Sequence, residues 1–183
     1  MIDSNEASQT LADLDDIAQR VRQSTIYNLT SLMLILWGVL VFAANLISFF
    51  WPRGGNAIWL AIDVAGIAGS FAISALGYPR TRVRTFDFRT LAAFVLLLAF
   101  GIFTSRWLGH FTPRQMGAFW TIYFMLFYTL VGLWFGAAFV VIGISVTVLT
   151  LIGYFFSGAW FEPYMALVNG GGLILGGLWM RRN

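Results

Sequence analysis

The chain contains no cysteine, no lysine and a single histidine among its 183 residues. The lack of cysteine removes disulfides, thiolate metal sites, a thiol nucleophile and cysteine lipidation. The one histidine, His110 in GHFTPRQ (109–115), reads as a surface loop residue. Without other His or Cys beside it no typical transition-metal site can form, so no metal is expected. Charge is also scarce, at 10% of residues, where an average soluble domain carries about 25%. No strand-borne glycine-rich phosphate loop, HExxH or Ser/His/Asp set is present, so no enzyme is expected. The aromatics of FWTIYFMLFY (119–128) read as packing and lipid-facing surface. No pair of axial ligands accompanies them, and no cofactor is expected. The formal charge of +3 is small and spread out, which argues against nucleic acid as a partner.

What fills the chain instead is apolar. Hydrophobic residues make up 59% and aromatics 17%, with a mean hydropathy of +0.79. A helix needs about 20 apolar residues to cross a bilayer core of about 30 Å. Six runs qualify: 27–50, 57–77, 91–107, 117–135, 137–156 and 161–180. The fourth and fifth are separated only by GLWFG (132–136). One straight helix of about 40 residues would be about 60 Å long, so a tight hairpin is predicted there. The expected fold class is all-α: a six-span transmembrane bundle of three helical hairpins over 26–183, preceded by a tail over 1–25. The tail is polar and acidic, without the charged-then-apolar plan of a cleaved signal peptide.

The arginines set the predicted orientation. With the N-terminus inside, Arg20, Arg22, Arg80, Arg82, Arg84, Arg89, Arg181 and Arg182 lie on the cytoplasmic side. Arg53, Arg106 and Arg114 lie outside. The positive-inside bias then places both termini in the cytoplasm. Trp51, Trp59, Trp107, Trp120, Trp160 and Trp179 fall near span ends, as an aromatic belt requires. The bilayer is thus the first expected partner, and a bacterial inner membrane the expected location.

Residues 8–25 of the tail read as a short amphipathic helix. Thr10 and Asp13 have capping-box spacing, and Leu11, Leu14, Ile17 and Val21 share one face. That face either lies on the protein or the headgroups, or docks a cytoplasmic or membrane partner. Its acidic start departs from the basic character of lipid-binding helices.

The spans also suggest repetition. Gly38, Trp59, Asp63 and Gly66 in the first hairpin parallel Gly143, Tyr164, Asn169 and Gly172 in the third, with Gly101, Trp120 and Gly132 as a looser middle copy. Three hairpins, with WGVLVF (37–42) in one and GGLILGGLW (171–179) closing the last, resemble the small HdeD-like bacterial inner-membrane proteins. The resemblance implies a link to acid stress. The tail and Asp63 have no match in that family.

Asp63 is the sharpest functional lead. A charged side chain near the bilayer centre costs about 2.5–3.5 kcal/mol even on insertion scales, and such residues are functional candidates by default. Trp59, Asp63, Gly66, Ser70, Ser74 and Gly77 share one stripe of the second span, and Ala61, Ala65 and Gly69 share another. The second span is therefore expected to be central. Counted from the span ends, Asn45, Thr121, Tyr123, Thr150 and Asn169 fall at the depth of Asp63. One polar layer is predicted, with Arg106 reaching in as counter-ion. NGGG (169–172) is either a helix break whose free carbonyls bind ions, or a close-packing surface made by Gly170, Gly171 and Gly172. Gly66 and Gly69 also read as packing positions. Two functions remain open at this point. One is a non-enzymatic accessory, regulatory or stress-related membrane protein acting through protein contacts, a homo-oligomer included. The other is a small proton or cation transporter or channel built on Asp63.

Overall fold

The computed structural model describes residues 28–81 and 88–182. Among them every regular element is helical. In order they are α1 (Asn28–Phe50), α2 (Gly55–Thr81), α3 (Phe88–Phe103), α4 (Pro113–Phe135), α5 (Ala137–Phe156), α6 (Phe161–Met165) and α7 (Gly172–Arg182). A π-helical segment, Thr104–Leu108, extends α3. A second, Ala166–Gly171, joins α6 to α7, so 161–182 is one continuous last run. Four helices, α1, α2, α4 and α5, are long and apolar enough to cross a membrane. The other two expected spans each contain a π segment. The tail residues Leu11, Leu14, Ile17 and Val21 lie outside the described residues.

The hairpin predicted between the fourth and fifth spans is present. A single residue, Gly136, separates α4 from α5, with φ of 139°. That left-handed backbone suits glycine alone among common residues. The upper end of α4 starts at Pro113 rather than at 117. Thr112 and Gln115 form a capping box, with Gln115 N–H donating to Thr112 Oγ1 and Thr112 N–H to Gln115 Oε1, and proline occupies the first turn, where its missing N–H costs nothing. TPRQ carried this signal in the sequence.

The core is built by α1, α4, α5 and the last run. Leu34, Met125, Phe139, Ile142, Val146, Leu173 and Met180 form its main cluster, and Ala118, Phe161 and Met165 a second one. On α1 the interior residues are Ser31, Leu34, Gly38, Val41, Ala44 and Asn45. This spacing of three and four is the seam of a helix packed nearly antiparallel on its neighbour. That neighbour is the last run, approached at backbone distance. A Cβ on Gly38 would lie 2.8 Å from the Gly170 carbonyl oxygen, and one on Gly177 would lie 2.8 Å from that of Ser31. The Ser31 hydroxyl donates to the Gly177 carbonyl at 2.6 Å. Gly176 faces Ile142 of α5. The glycines thus let helices meet where no water or hydrophobic drive operates between them.

The outer helices dock on this core through rings laid over glycines. Trp37 of α1 covers Gly66 of α2, and its indole Nε1 donates to Ser70 Oγ at 3.1 Å. Leu36 covers Gly69. Trp120 and Tyr123 of α4 cover Gly101 of α3, and the Tyr123 hydroxyl donates to the Leu97 carbonyl at 2.9 Å. Tyr164 covers Gly153 of α5 and donates to the Leu149 carbonyl at 2.8 Å. The last two hairpins share one device: a glycine makes room for a ring whose hydroxyl binds the carbonyl four residues earlier. The expected repeat is therefore corrected in detail. Gly101 does meet Trp120, but Tyr164 meets Gly153, while Gly143 packs on Thr129 and Met125 of α4.

Helix α2 is peripheral, not central. Gly66 is its one buried residue among those with described side chains, and Ala61 and Ala65 are exposed. Its small residues Gly66 and Gly69 serve a single neighbour, α1.

Candidate functional site

The interior does hold a polar level. Thr121, Thr150, Asn169 and Asn45 are all buried, one each on α4, α5, the last run and α1. The Asn169 side-chain amide donates to Thr121 Oγ1 at 3.0 Å. Asn45 Nδ2 donates to the Val41 carbonyl of its own helix at 2.8 Å. Register places these residues together. A Cβ on Gly170 would meet the backbone of Phe42, so Asn45, about one turn further up α1, is level with the turn that precedes Gly170. Tyr164 against Gly153 and Gly172 beside Val146 bracket Thr150 at the same height. The Thr150 and Ser48 hydroxyls are buried without a partner. Ser48 was not anticipated, although it continues the α1 seam by three residues from Asn45.

Asp63 does not join this buried group. Its side chain is exposed, and it makes no hydrogen bond or ion pair with any described residue. The reason is the width of α1. Leu36 of α1 lies against Gly69 of α2, Gly38 on the opposite side of α1 lies against the last run, and Trp37 covers Gly66 from the face between them. A helix is about 10 Å across with its side chains, so a group on α2 cannot touch Asn169 through it. The predicted stripe was sound as far as Gly66 and Ser70, which do face α1. Asp63 lies at the edge of that contact and turns onto the flank shared by Leu60, Ile67 and Phe71, which are 67%, 48% and 68% exposed.

The remaining expected site residues also separate. Tyr123 spends its hydroxyl on Leu97 and belongs to the α3–α4 contact. Arg106 lies in the π segment of α3 and is exposed; it does not reach Asp63. The NGGG stretch is not a break, because the helix continues through it with π spacing. Gly170 is pressed on α1, Gly172 has Val146 Cγ2 3.1 Å from a Cβ built on it, and Gly171 faces open space. π segments recur at functional positions, and this one aims Asn169 at Thr121.

Arg114 is a structural residue that sequence reasoning missed. It projects from the first turn of α4 to the end of α5, where its guanidinium donates to the Gly153 and Tyr154 carbonyls. It also stands over the Tyr154 and Phe161 rings, 5.4 and 5.0 Å from their centroids. The Gly153 carbonyl also accepts from the Ser157 N–H and hydroxyl, and the last carbonyls of a helix carry partial negative charge that favours a cation there.

A shallow cavity of about 250 Å³ opens between α5 and the last run, lined by Val141, Ser145, Leu149, Gly172, Gly176 and Trp179 among others. It is apolar, and Asp63 does not line it. Among the described residues no group of three or more His, Cys, Asp or Glu is placed to hold a metal. Compared with known protein families, curated proteins and solved structures, the chain matches none.

Proposed function

We propose that this chain is a non-enzymatic, six-span protein of a bacterial inner membrane, both termini cytoplasmic, that works through protein contacts made inside the bilayer. The observation that carries the reading is Asp63: a carboxylate on the exposed, otherwise apolar flank of α2. Left facing lipid it costs about 2.5–3.5 kcal/mol at the bilayer centre. A partner helix that supplies a donor or a cation removes that cost. The six spans are supported by the three antiparallel ring-on-glycine hairpins. The five-residue π segment lengthens the 16-residue α3 towards the roughly 20 residues a span requires. The arginine distribution supports the orientation.

The alternative, a small proton or cation transporter or channel built on Asp63, has less support, because Asp63 is exposed while Asn45 and Asn169 are buried in the core. The test of the contact reading is a photoreactive amino acid at Ile67, beside Asp63, irradiated in intact membranes. A defined protein adduct is expected, with none from the same probe at Leu149 in the groove between α5 and the last run. Adducts with lipid alone from Ile67 would refute the reading.

A further inference from the structure

We propose that the occupant of the Asp63 flank is a second copy of this chain, and that its Arg106 pairs with Asp63. This rests on the contact reading above and names its partner. The two peripheral helices carry matching surfaces. On α2 the exposed flank is Leu60, Asp63, Ile67 and Phe71. On α3 the side turned away from α4 presents Val95, Ala99, Ile102 and Arg106, all exposed. Each is an apolar strip with one charge, and the charges are opposite. Neither charge has a partner among the described residues of its own chain. Of the other arginines with described side chains, Arg114 is engaged on α5, Arg53 lies in the turn before α2, and Arg181 and Arg182 lie at the far end of the last run.

Depth agrees as well as charge. Trp37 over Gly66 and Ser70 sets Asp63 about level with Val41 and Phe42. Phe42 meets Gly170, Asn169 meets Thr121, and Trp120 and Tyr123 meet Gly101. Asp63 therefore lies near the level of Gly101, with Arg106 about 7 Å nearer the upper end at roughly 1.5 Å per residue. A flexible arginine stem spans that difference. Two copies inserted in the same direction keep these depths, so α2 of one copy meets α3 of the next in antiparallel fashion. Each copy contributes one carboxylate and one guanidinium, and a closed assembly leaves neither unpaired.

The absence of cysteine makes the test clean, since any disulfide must come from introduced residues. One tagged full-length copy carries Ile67→Cys and a differently tagged copy carries Ala99→Cys, oxidised together in native membranes. A mixed disulfide is expected only when both are present. Its yield should fall at least tenfold with Asp63→Asn or Arg106→Gln, and recover when Asp63→Arg is combined with Arg106→Asp. A mixed disulfide indifferent to both charge substitutions overturns the ion pair. An Ile67→Cys self-disulfide in place of the mixed one overturns the α2–α3 arrangement while leaving an intramembrane contact standing. No disulfide, with a photoadduct from Ile67 to a different protein, overturns the second copy and spares the contact reading. No disulfide and no protein adduct overturns both.

Discussion

Two neighbouring glycines should respond to the same substitution with opposite sign. A Cβ added at Gly170 would lie 2.6 Å from Phe42 Cβ and 2.7 Å from Phe42 Cα and N. Carbon atoms in contact prefer about 3.5–4.0 Å, so α1 and the last run must part by about 1 Å. The atoms in the way are mostly backbone and cannot rotate aside. Overpacking of this kind costs about 1–3 kcal/mol, while replacing a helical glycine by alanine returns about 1 kcal/mol. Gly170→Ala should therefore destabilise the bundle by up to about 2 kcal/mol. Gly171 has nothing within 4 Å of the added atom, so Gly171→Ala should be neutral or stabilising by up to about 1 kcal/mol. The gap between the two variants, about 2 kcal/mol, is roughly thirtyfold in the folding equilibrium. Reversible unfolding in mixed micelles, with the tryptophan signal as readout, measures it. Equal stability of the two variants, or a larger loss at Gly171, would show that the last run is not pressed on α1 at this point.

Two further substitutions probe the docking of the helices. Trp37→Phe and Ser70→Ala should each loosen α2 from α1, and a double-mutant cycle should give a coupling of about 0.6–1.7 kcal/mol, the range of hydrogen bonds between membrane helices; additive effects would deny the bond. Arg114→Gln should lower thermal stability in detergent by about 1–2 kcal/mol, a figure already reduced from that of a fully buried charged donor because Arg114 is only half-buried. Arg114→Lys should recover less than half of it, since an ammonium lacks the planar group that stacks on Tyr154 and Phe161. Full recovery by lysine would mean that charge alone holds the end of α5.

The periodic features of the chain were legible. Long apolar runs located the helices, and α5 was read to the residue because Gly136 and Ser157 bound it. The start of α4 was missed by four residues because the apolar pattern begins at Gly117, whereas the helix is nucleated by the Thr112–Gln115 box that precedes it. The π segments were not legible: a run such as ALVNGG (166–171) has the same composition with four or five residues between bonded groups, and only Gly170 against Phe42 decides the spacing. Arg114 was read as a loop charge for the same reason. Its role depends on where α5 ends in space, thirty-nine residues further along the chain.

Asp63 shows which coordinate a sequence withholds. Depth follows from counting residues inward from a span end, and by that count Asp63, Asn45, Thr121, Thr150 and Asn169 belong together. The structure keeps them at similar heights. Lateral position follows from which helix stands beside which, and the stripe on α2 is equally compatible with a central helix and with one that touches α1 alone. Leu36 decides between them, because it packs on Gly69 from the side of α1 opposite Asn45, and with Trp37 over Gly66 on the intervening side it puts α2 outside the core. The interior amides then bond within the core, Asn169 to Thr121 and Asn45 to the Val41 carbonyl, and the carboxylate is left on the periphery. A buried Asp63 would draw its partners from this chain's own core; the exposed one has none among the described residues, and the pairing proposed above takes its partner from α3, whose Arg106 is the only exposed arginine within reach of that depth among the described side chains.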